Sequence, residues 1–358
     1  MKKLDLYIIN KFLGTFLFTI IMLLAIAIVI DISEKVDDFI KAGVSTSEII
    51  SDYYVNFALF YGNMFMPLVV FLAAILFTSK MAEQTEIVAY LAGGISFNRL
   101  LFPYFVSATI LAFLSLVLNH QVLPKANLVR KEFESKYIEK KKSKRFENIH
   151  RQIKPNEYIY IKSFNTDRNQ GFNFSLEKFE GTMLQYKLSS DYINFNPEDS
   201  IYKLRNWKVR VLSGTNDEIS SGYQMDTTFT FLPKDLTPKE YIAETMTYHQ
   251  LNDFIEEQEF RGSENLSAYL VENHRRTSMP ASTYILTLIA VSLAYRKKRG
   301  GMGMNIAVGL LLMVLYIFFM RIADTFAIKD DFPPLLAVWI PNIIFGLLSL
   351  VLYNNAKK

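Results

Sequence analysis

The sequence predicts an α+β membrane protein: six transmembrane helices in two groups of three, with an antiparallel β-domain inserted between the groups. Three observations carry this. Six apolar runs are long enough, or nearly so, to supply the ~20 residues a helix needs to cross lipid, which offers its backbone no hydrogen-bond partners. They lie at roughly 12–32, 55–79, 100–122, 279–295, 304–322 and 335–353. Between the third and fourth runs the pattern changes to short blocks of alternating apolar and polar residues. Across 358 residues, 51% are hydrophobic yet 21% are charged, which fits spans joined to a sizeable polar domain. The implied division is 1–122, 123–278 and 279–358.

The first run ends at Asp31 without a small-residue cleavage site, so it reads as an uncleaved span rather than a signal peptide. The second run ends near Lys80. The stretch MAEQTEIVAYLAGGISFNRL, 81–100, then separates it from the third. Residues 82–91 lack helix breakers and predict a short amphipathic helix within about 81–95. Glu83 and Glu86 fall near its start, where the helix dipole favours acids. Ile87, Leu91 and either Tyr90 or Val88 form an apolar stripe, and Gly93-Gly94 ends the helix. Such a helix either docks in a groove of another protein or rests on lipid; acids facing an anionic leaflet favour docking.

After the third run comes a basic stretch, Lys125 to Lys154. It predicts a solvated helix with i,i+4 pairs such as Glu132 with Lys136, or else a positive collar for an anionic glycolipid. Strands are predicted at 158–164, 172–179, 184–196, 202–212 and 226–232, separated by NTDRNQG, EG, NPEDS and SGTNDE. That spacing suggests an antiparallel sandwich or open barrel. Thr237-Pro238-Lys239-Glu240 is a capping box with proline at the first helical position. Helices follow at about 247–260 and 264–277, the last running into the short fourth span.

Orientation comes from the short loops. Lys2, Lys3, Lys11, Lys80, Arg99, Arg296, Lys297, Lys298, Arg299, Lys357 and Lys358 collect on one side, against Lys35, Lys41 and Lys329 on the other. The positive-inside rule then puts both termini and 81–100 in the cytoplasm and the β-domain outside. The RKKRGGMG turn between the fourth and fifth spans mainly fixes this topology.

Several chemistries are excluded or weakened. There is no cysteine, hence no disulfide or thiolate site. No phosphate-binding G-x-x-x-x-G-K-[ST] loop occurs, and no G-x-S-x-G elbow. His120, His150, His249 and His274 are scattered and form no metal pair. The net charge of +4 does not argue for nucleic acid. Neither a catalytic residue, nor a cofactor, nor a metal site is expected.

The chain resembles the LptF/LptG (YjgP/YjgQ) permeases. The resemblance rests on VDDFIKAG at 36–43, TEIVAYLAGGIS at 85–96, RKKRGGMGMNIAVG at 296–309, and PP followed by W-x-P at 333–341. The VDDFIKAG stretch is more similar to LptG than to LptF. The resemblance implies a jelly-roll β-domain in the periplasm and a location in the inner membrane of a Gram-negative bacterium. It implies that the chain pairs with a paralogous permease subunit on a cytoplasmic ABC ATPase dimer and passes lipopolysaccharide to periplasmic jelly-roll bridge proteins. Glu83, Glu86, Ile87, Tyr90, Leu91, Gly93 and Gly94 then belong to an ATPase-coupling helix. Lys35 and Lys41, just outside the first span, and Arg321, at the outer end of the fifth, become candidate lipid ligands, since ammonium and guanidinium groups bind phosphate. Glu34 and Ile40 stand where such permeases often carry lysines. From the residues alone, Lys35 and Lys41 could equally snorkel, and Arg321 could pair with Asp324 on one helical face. The alternatives are a different ABC-coupled permease that transmits force without moving lipid, or a membrane-anchored structural protein.

Overall fold

The computed structural model describes residues 3–138, 145–165, 168–197, 199–213, 216–233, 236, 242–260, 265–296, 301–329 and 332–357. The predicted capping box at 237–240, the turn residues Lys297, Lys298 and Arg299, and Lys140, Lys141, Lys142 and Lys144 of the basic stretch lie outside them. Among the described residues six helices are long and apolar enough to cross a membrane. Two compact units emerge. One comprises 1–138, 242–251 and 267–358; the other comprises 139–241 and 252–266.

The helical unit begins with α1 (Lys3–Ala42), 40 residues long. At 1.5 Å per residue it runs about 60 Å, twice the ~30 Å hydrocarbon layer. It stops because Gly43 turns left-handed (φ 65°) and the amides of Gly43 and Val44 return to the carbonyls of Ile40 and Phe39, at 3.2 and 3.4 Å. This Schellman closure gives the terminal glycine of VDDFIKAG a structural purpose. Ser45 then caps α2 (Thr46–Glu48), accepting the Glu48 amide at 3.2 Å. A π-helical turn, Ile49–Tyr54, leads into α3 (Val55–Glu83).

The predicted continuous helix over 82–91 is interrupted. α3 ends at Glu83, Thr85 adopts a left-handed φ of 61°, and α4 (Glu86–Ala92) starts afresh. Gly94 (φ 77°) turns the chain again, and Ser96 caps α5 (Phe97–Val117). A π-helical turn at Leu118–Val122 joins α5 to α6 (Leu123–Phe133), and a third such turn carries the rod to Ile138. The third span thus continues well past 122. Lys136 does not pair with Glu132 as expected; it lies 3.8 Å from Glu48, while Arg130 and Lys131 share Glu134 at 3.0 and 3.3 Å.

The remaining helices are α7 (Ile242–Thr245), α8 (Tyr248–Phe260), α9 (Leu266–Ala294), α10 (Gly301–Lys329) and α11 (Pro334–Lys357). As predicted, the helix before the fourth span runs into it without a break. α3 is the central rod of the bundle: Val69, Val70, Phe71, Ala73, Ala74 and Ile75 are all fully buried. α1 and α10 both pack on it. α10 approaches so closely at Gly309 that an added Cβ would collide with the Ile75 side chain.

The other unit holds a six-stranded antiparallel sheet, inserted in sequence between the third and fourth spans, in which every strand pairs with its sequence neighbour. The strands are β1 (Arg145–Lys154), β2 (Glu157–Asn165), β3 (Gln170–Glu180), β4 (Met183–Asn196), β5 (Ile201–Ser213) and β6 (Asn216–Thr227). β1 occupies the end of the basic stretch that reads as helix. The last strand lies at 216–227 rather than 226–232. β6 is a largely exposed edge and so shows little apolar alternation. Phe229 and Phe231 lie beyond it and pack on the sheet's core, and the Tyr202 hydroxyl donates to the Phe231 carbonyl at 2.8 Å.

One line across the sheet breaks the usual two-residue alternation. The core takes Phe146 then Ile149, Ile161 then Phe164, Gly171 then Phe174, Ser190 then Ile193, and Leu204 then Trp207, each pair three apart. The residues at the break sit opposite one another: Asn148, Lys162, Asn173, Asp191 and Asn206. In alternate strands the residue is an asparagine with positive φ, at 54°, 51° and 52°. A left-handed residue turns over the faces of the chain that follows it. Asparagine adopts that conformation more readily than other L-residues. At the break Gly171 has no room for a side chain, because a Cβ would stand 2.8 Å from Ile193.

Candidate functional site

Two places in the helical unit gather chemistry. The first is a cavity of about 540 Å³ walled by α3, α6, α7, α9 and α10. That volume is within the ~300–1,000 Å³ typical of ligand pockets. Its apolar wall is soft: Met64, Met279, Met313 and Met320 line it beside Phe60, Phe65 and Leu68. Unbranched thioether side chains re-pack around irregular apolar ligands.

The cavity also carries Glu244, Glu272, Arg275, Arg276, Arg321 and Asp324. Most of this charge is spent internally. Arg275 donates to Asp324 at 2.7 Å and lies 3.7 Å from Glu272. Arg276, 3% exposed, donates to Glu272 at 3.3 Å and to the carbonyls of Met246 and Ala243 at 2.8 and 2.6 Å. Burial, and then the neighbouring Glu272, push the Glu244 carboxyl above the usual carboxylate range, which weakens the acidic half of the cluster. The alternative reading of Arg321, an ion pair with Asp324, is not what forms. Instead Arg275 takes that carboxylate, and the Arg321 guanidinium makes no hydrogen bond or ion pair among the described residues. It lines the cavity as an exposed cation available to an anion.

Lys35 and Lys41 do not join it. Lys35 is held at 2.7 Å by Asp31, contacts the Tyr53 hydroxyl, and lies over the Tyr53 ring. Tyr53 and Tyr54 also donate to Asp31, at 3.1 and 3.3 Å. Lys41 is exposed in the last turn of α1. Neither lines the cavity.

The second place is α4. Glu83 closes α3, so the two glutamates sit on different helices. Ile87 and Tyr90 are buried and Leu91 packs on the same core. The apolar stripe therefore faces the bundle. What α4 offers outward is Val88, Ala89, Ala92, Gly93 and Gly94, with Glu83 alongside. Glu86 accepts from the Tyr7 hydroxyl at 3.3 and 3.4 Å.

Arg275, Arg276, Glu272 and Glu244 were not singled out by the sequence reading. The signal was ENHRR at 272–276, five polar residues entering an apolar run. Charges at the mouth of a span often mark function.

A family model described as lipopolysaccharide export system permease LptF/LptG matches residues 6–355. It covers both paralogues and does not separate them. No curated protein matches the chain. With its six spanning helices, the sheet inserted between the third and fourth, and a match over nearly its whole length, the chain belongs to the LptF/LptG family of lipopolysaccharide export permeases.

Proposed function

We propose that the chain is one permease subunit of an ABC-type exporter that lifts lipopolysaccharide out of the inner membrane of a Gram-negative bacterium. It pairs with a paralogous subunit, takes its energy from a cytoplasmic ATPase dimer, and hands the lipid to a periplasmic jelly-roll bridge through its own β-domain. Both termini and α4 are cytoplasmic in this reading. The observation that carries it, beyond family membership, is the cavity: a methionine-rich apolar wall beside Arg321, whose guanidinium forms no ion pair or hydrogen bond among the described residues, suits acyl chains next to a phosphate.

Energetics support a borrowed motor. Each acyl methylene leaving the bilayer costs about 0.8 kcal/mol unless an apolar wall replaces lipid. The sequence has no phosphate-binding loop of its own. α4 is the docking element, through Glu83, Val88, Ala89, Gly93 and Gly94, while Ile87, Tyr90 and Leu91 anchor it to the bundle. Arg321 binds phosphate at the cavity. Lys41 assists at the end of α1, and Lys35 contributes after release from Asp31.

The test is to purify the detergent-solubilised chain from its native membrane and assay the eluate for ATPase and for lipopolysaccharide. The proposal expects both. It expects Glu83→Lys, on the outward face beside α4, to lose the ATPase, and Arg321→Ala to keep the ATPase but carry less lipid. An intact chain with neither ATPase nor lipopolysaccharide overturns it.

A further inference from the structure

We infer that the first two turns of α1 receive the movement of α4 and carry it into the first span, with Tyr7 and Asp5 as positioning residues. The inference rests on the reading of α4 as the ATPase-docking helix. α4 has only seven residues and is bounded by left-handed backbone at Thr85 (φ 61°) and Gly94 (φ 77°). Its chain connections alone would let it swivel.

Side chains prevent that. The Tyr7 hydroxyl donates to both carboxylate oxygens of Glu86, at 3.4 and 3.3 Å, across 79 residues of sequence. Just beyond α4, Arg99 on the first turn of α5 donates to Asp5 at 2.7 Å. Asp5 is fully buried, so its charge is tied to this partner. Tyr90, buried on the inner face of α4, packs in the same core cluster as Ile8 and Phe12 of α1. The same two turns of α1 therefore grip both ends of the α4 segment. Tyr7 is further seated against Phe77 of α3, with ring centroids 6.5 Å apart.

α1 is suited to be the moving part. It is one unbroken helix from Lys3 to Ala42: Ile8, Phe12, Phe16 and Ile20 key one stripe into the bundle core, while the rest of its apolar surface is largely exposed. A helix transmits displacement along its axis as a rigid body. At its far end, Asp31 and Lys35 join it to Tyr53 and Tyr54, just before α3. A push on α4 then reaches the outer end of the first span along α1, in addition to the path through α3, on which both α4 and α1 pack.

The experiment uses the complete exporter, with this chain, its partner permease and the ATPase, in vesicles loaded with purified lipopolysaccharide. It reads lipid released per ATP hydrolysed. Tyr7→Phe should lower that ratio by about fivefold, the weight of one hydrogen bond. Asp5→Arg alone and Arg99→Asp alone should lower it further, and the two together should restore it in part. A merely structural role would change complex yield and ATPase activity, not the ratio. A ratio equal to wild type in Tyr7→Phe and in both single charge reversals overturns the inference, as does a proportional fall of hydrolysis and release. A wild-type complex that hydrolyses ATP yet releases no lipid overturns the proposed function itself and the inference with it.

Discussion

The helical unit and the sheet are built inside out relative to one another. In the helical unit the surface is apolar: Leu17, Phe18, Ile21, Phe113, Leu311 and Leu347 are all exposed. Its buried positions include Asn63, Thr78, Ser79, Ser107, Asn119, Asn305 and Asn342. They hydrogen-bond inside the bundle, as in Asn63 to Asn119 at 3.0 Å, Thr78 to Tyr104 at 2.8 Å and Asn305 to Ser79 at 3.3 Å. In the sheet the core is Ile159, Ile161, Phe164, Phe174, Tyr202 and Leu204, and the polar residues, apart from buried Ser163 and Ser190, mostly face out. The difference follows from the solvent. Water drives apolar side chains inward, whereas hydrocarbon is indifferent to them and leaves packing and hydrogen bonds to hold helices together.

Phenylalanine truncation gives the largest test of this contrast. Phe174, 1% exposed, should cost about 3–5 kcal/mol when cut to alanine. Phe18, 69% exposed, should cost less than about 0.5 kcal/mol. Chemical denaturation of the reconstituted protein, followed separately by sheet and helix signals, compares the two. Equal costs would break the inside-out account.

The next effect is on the sheet's reversal line. Asn173→Val forces a β-branched residue into a left-handed φ and should cost about 1–2 kcal/mol, while Asn173→Gly, which takes that φ without strain, should cost less than about 1 kcal/mol. The smallest is in the helical unit. Asn342 accepts from Tyr316 at 2.8 Å and donates to the Ser278 carbonyl at 3.0 Å. Asn342→Leu should cost about 0.6–1.7 kcal/mol, the range of such bonds in membranes. A loss as large as that of Phe174→Ala would show polar contacts, rather than packing, dominating the bundle.

The same contrast explains what was legible in the sequence. Apolar runs mark spans whichever way they face, so six helices could be read directly. The sheet was harder. Its alternation slips by one at Asn148, Lys162, Asn173, Asp191 and Asn206, and a strictly two-residue period loses register there. β6, a largely exposed edge that packs Met225 on the core, shows little apolar alternation to betray it, and the apolar alternation of DTTFTFL belongs instead to residues lying over the core. The α4 stripe was visible, but periodicity does not say whether Ile87 and Tyr90 face a partner or their own bundle. Arg321 was identified by its place in a span. That it forms no ion pair among the described residues was not legible, because this depends on Arg275, 46 residues away in sequence, claiming Asp324.

The most direct test of the central claim, that the α3–α10 cavity carries the lipid, is photo-crosslinking from Ile317, which lines it. A photoreactive residue there, in the complete exporter turning over ATP, should form an adduct with lipopolysaccharide, and Arg321→Ala should weaken it. The same probe at Phe18 should capture mainly bulk phospholipid. An exporter that releases lipopolysaccharide normally while Ile317 never captures it would contradict the account.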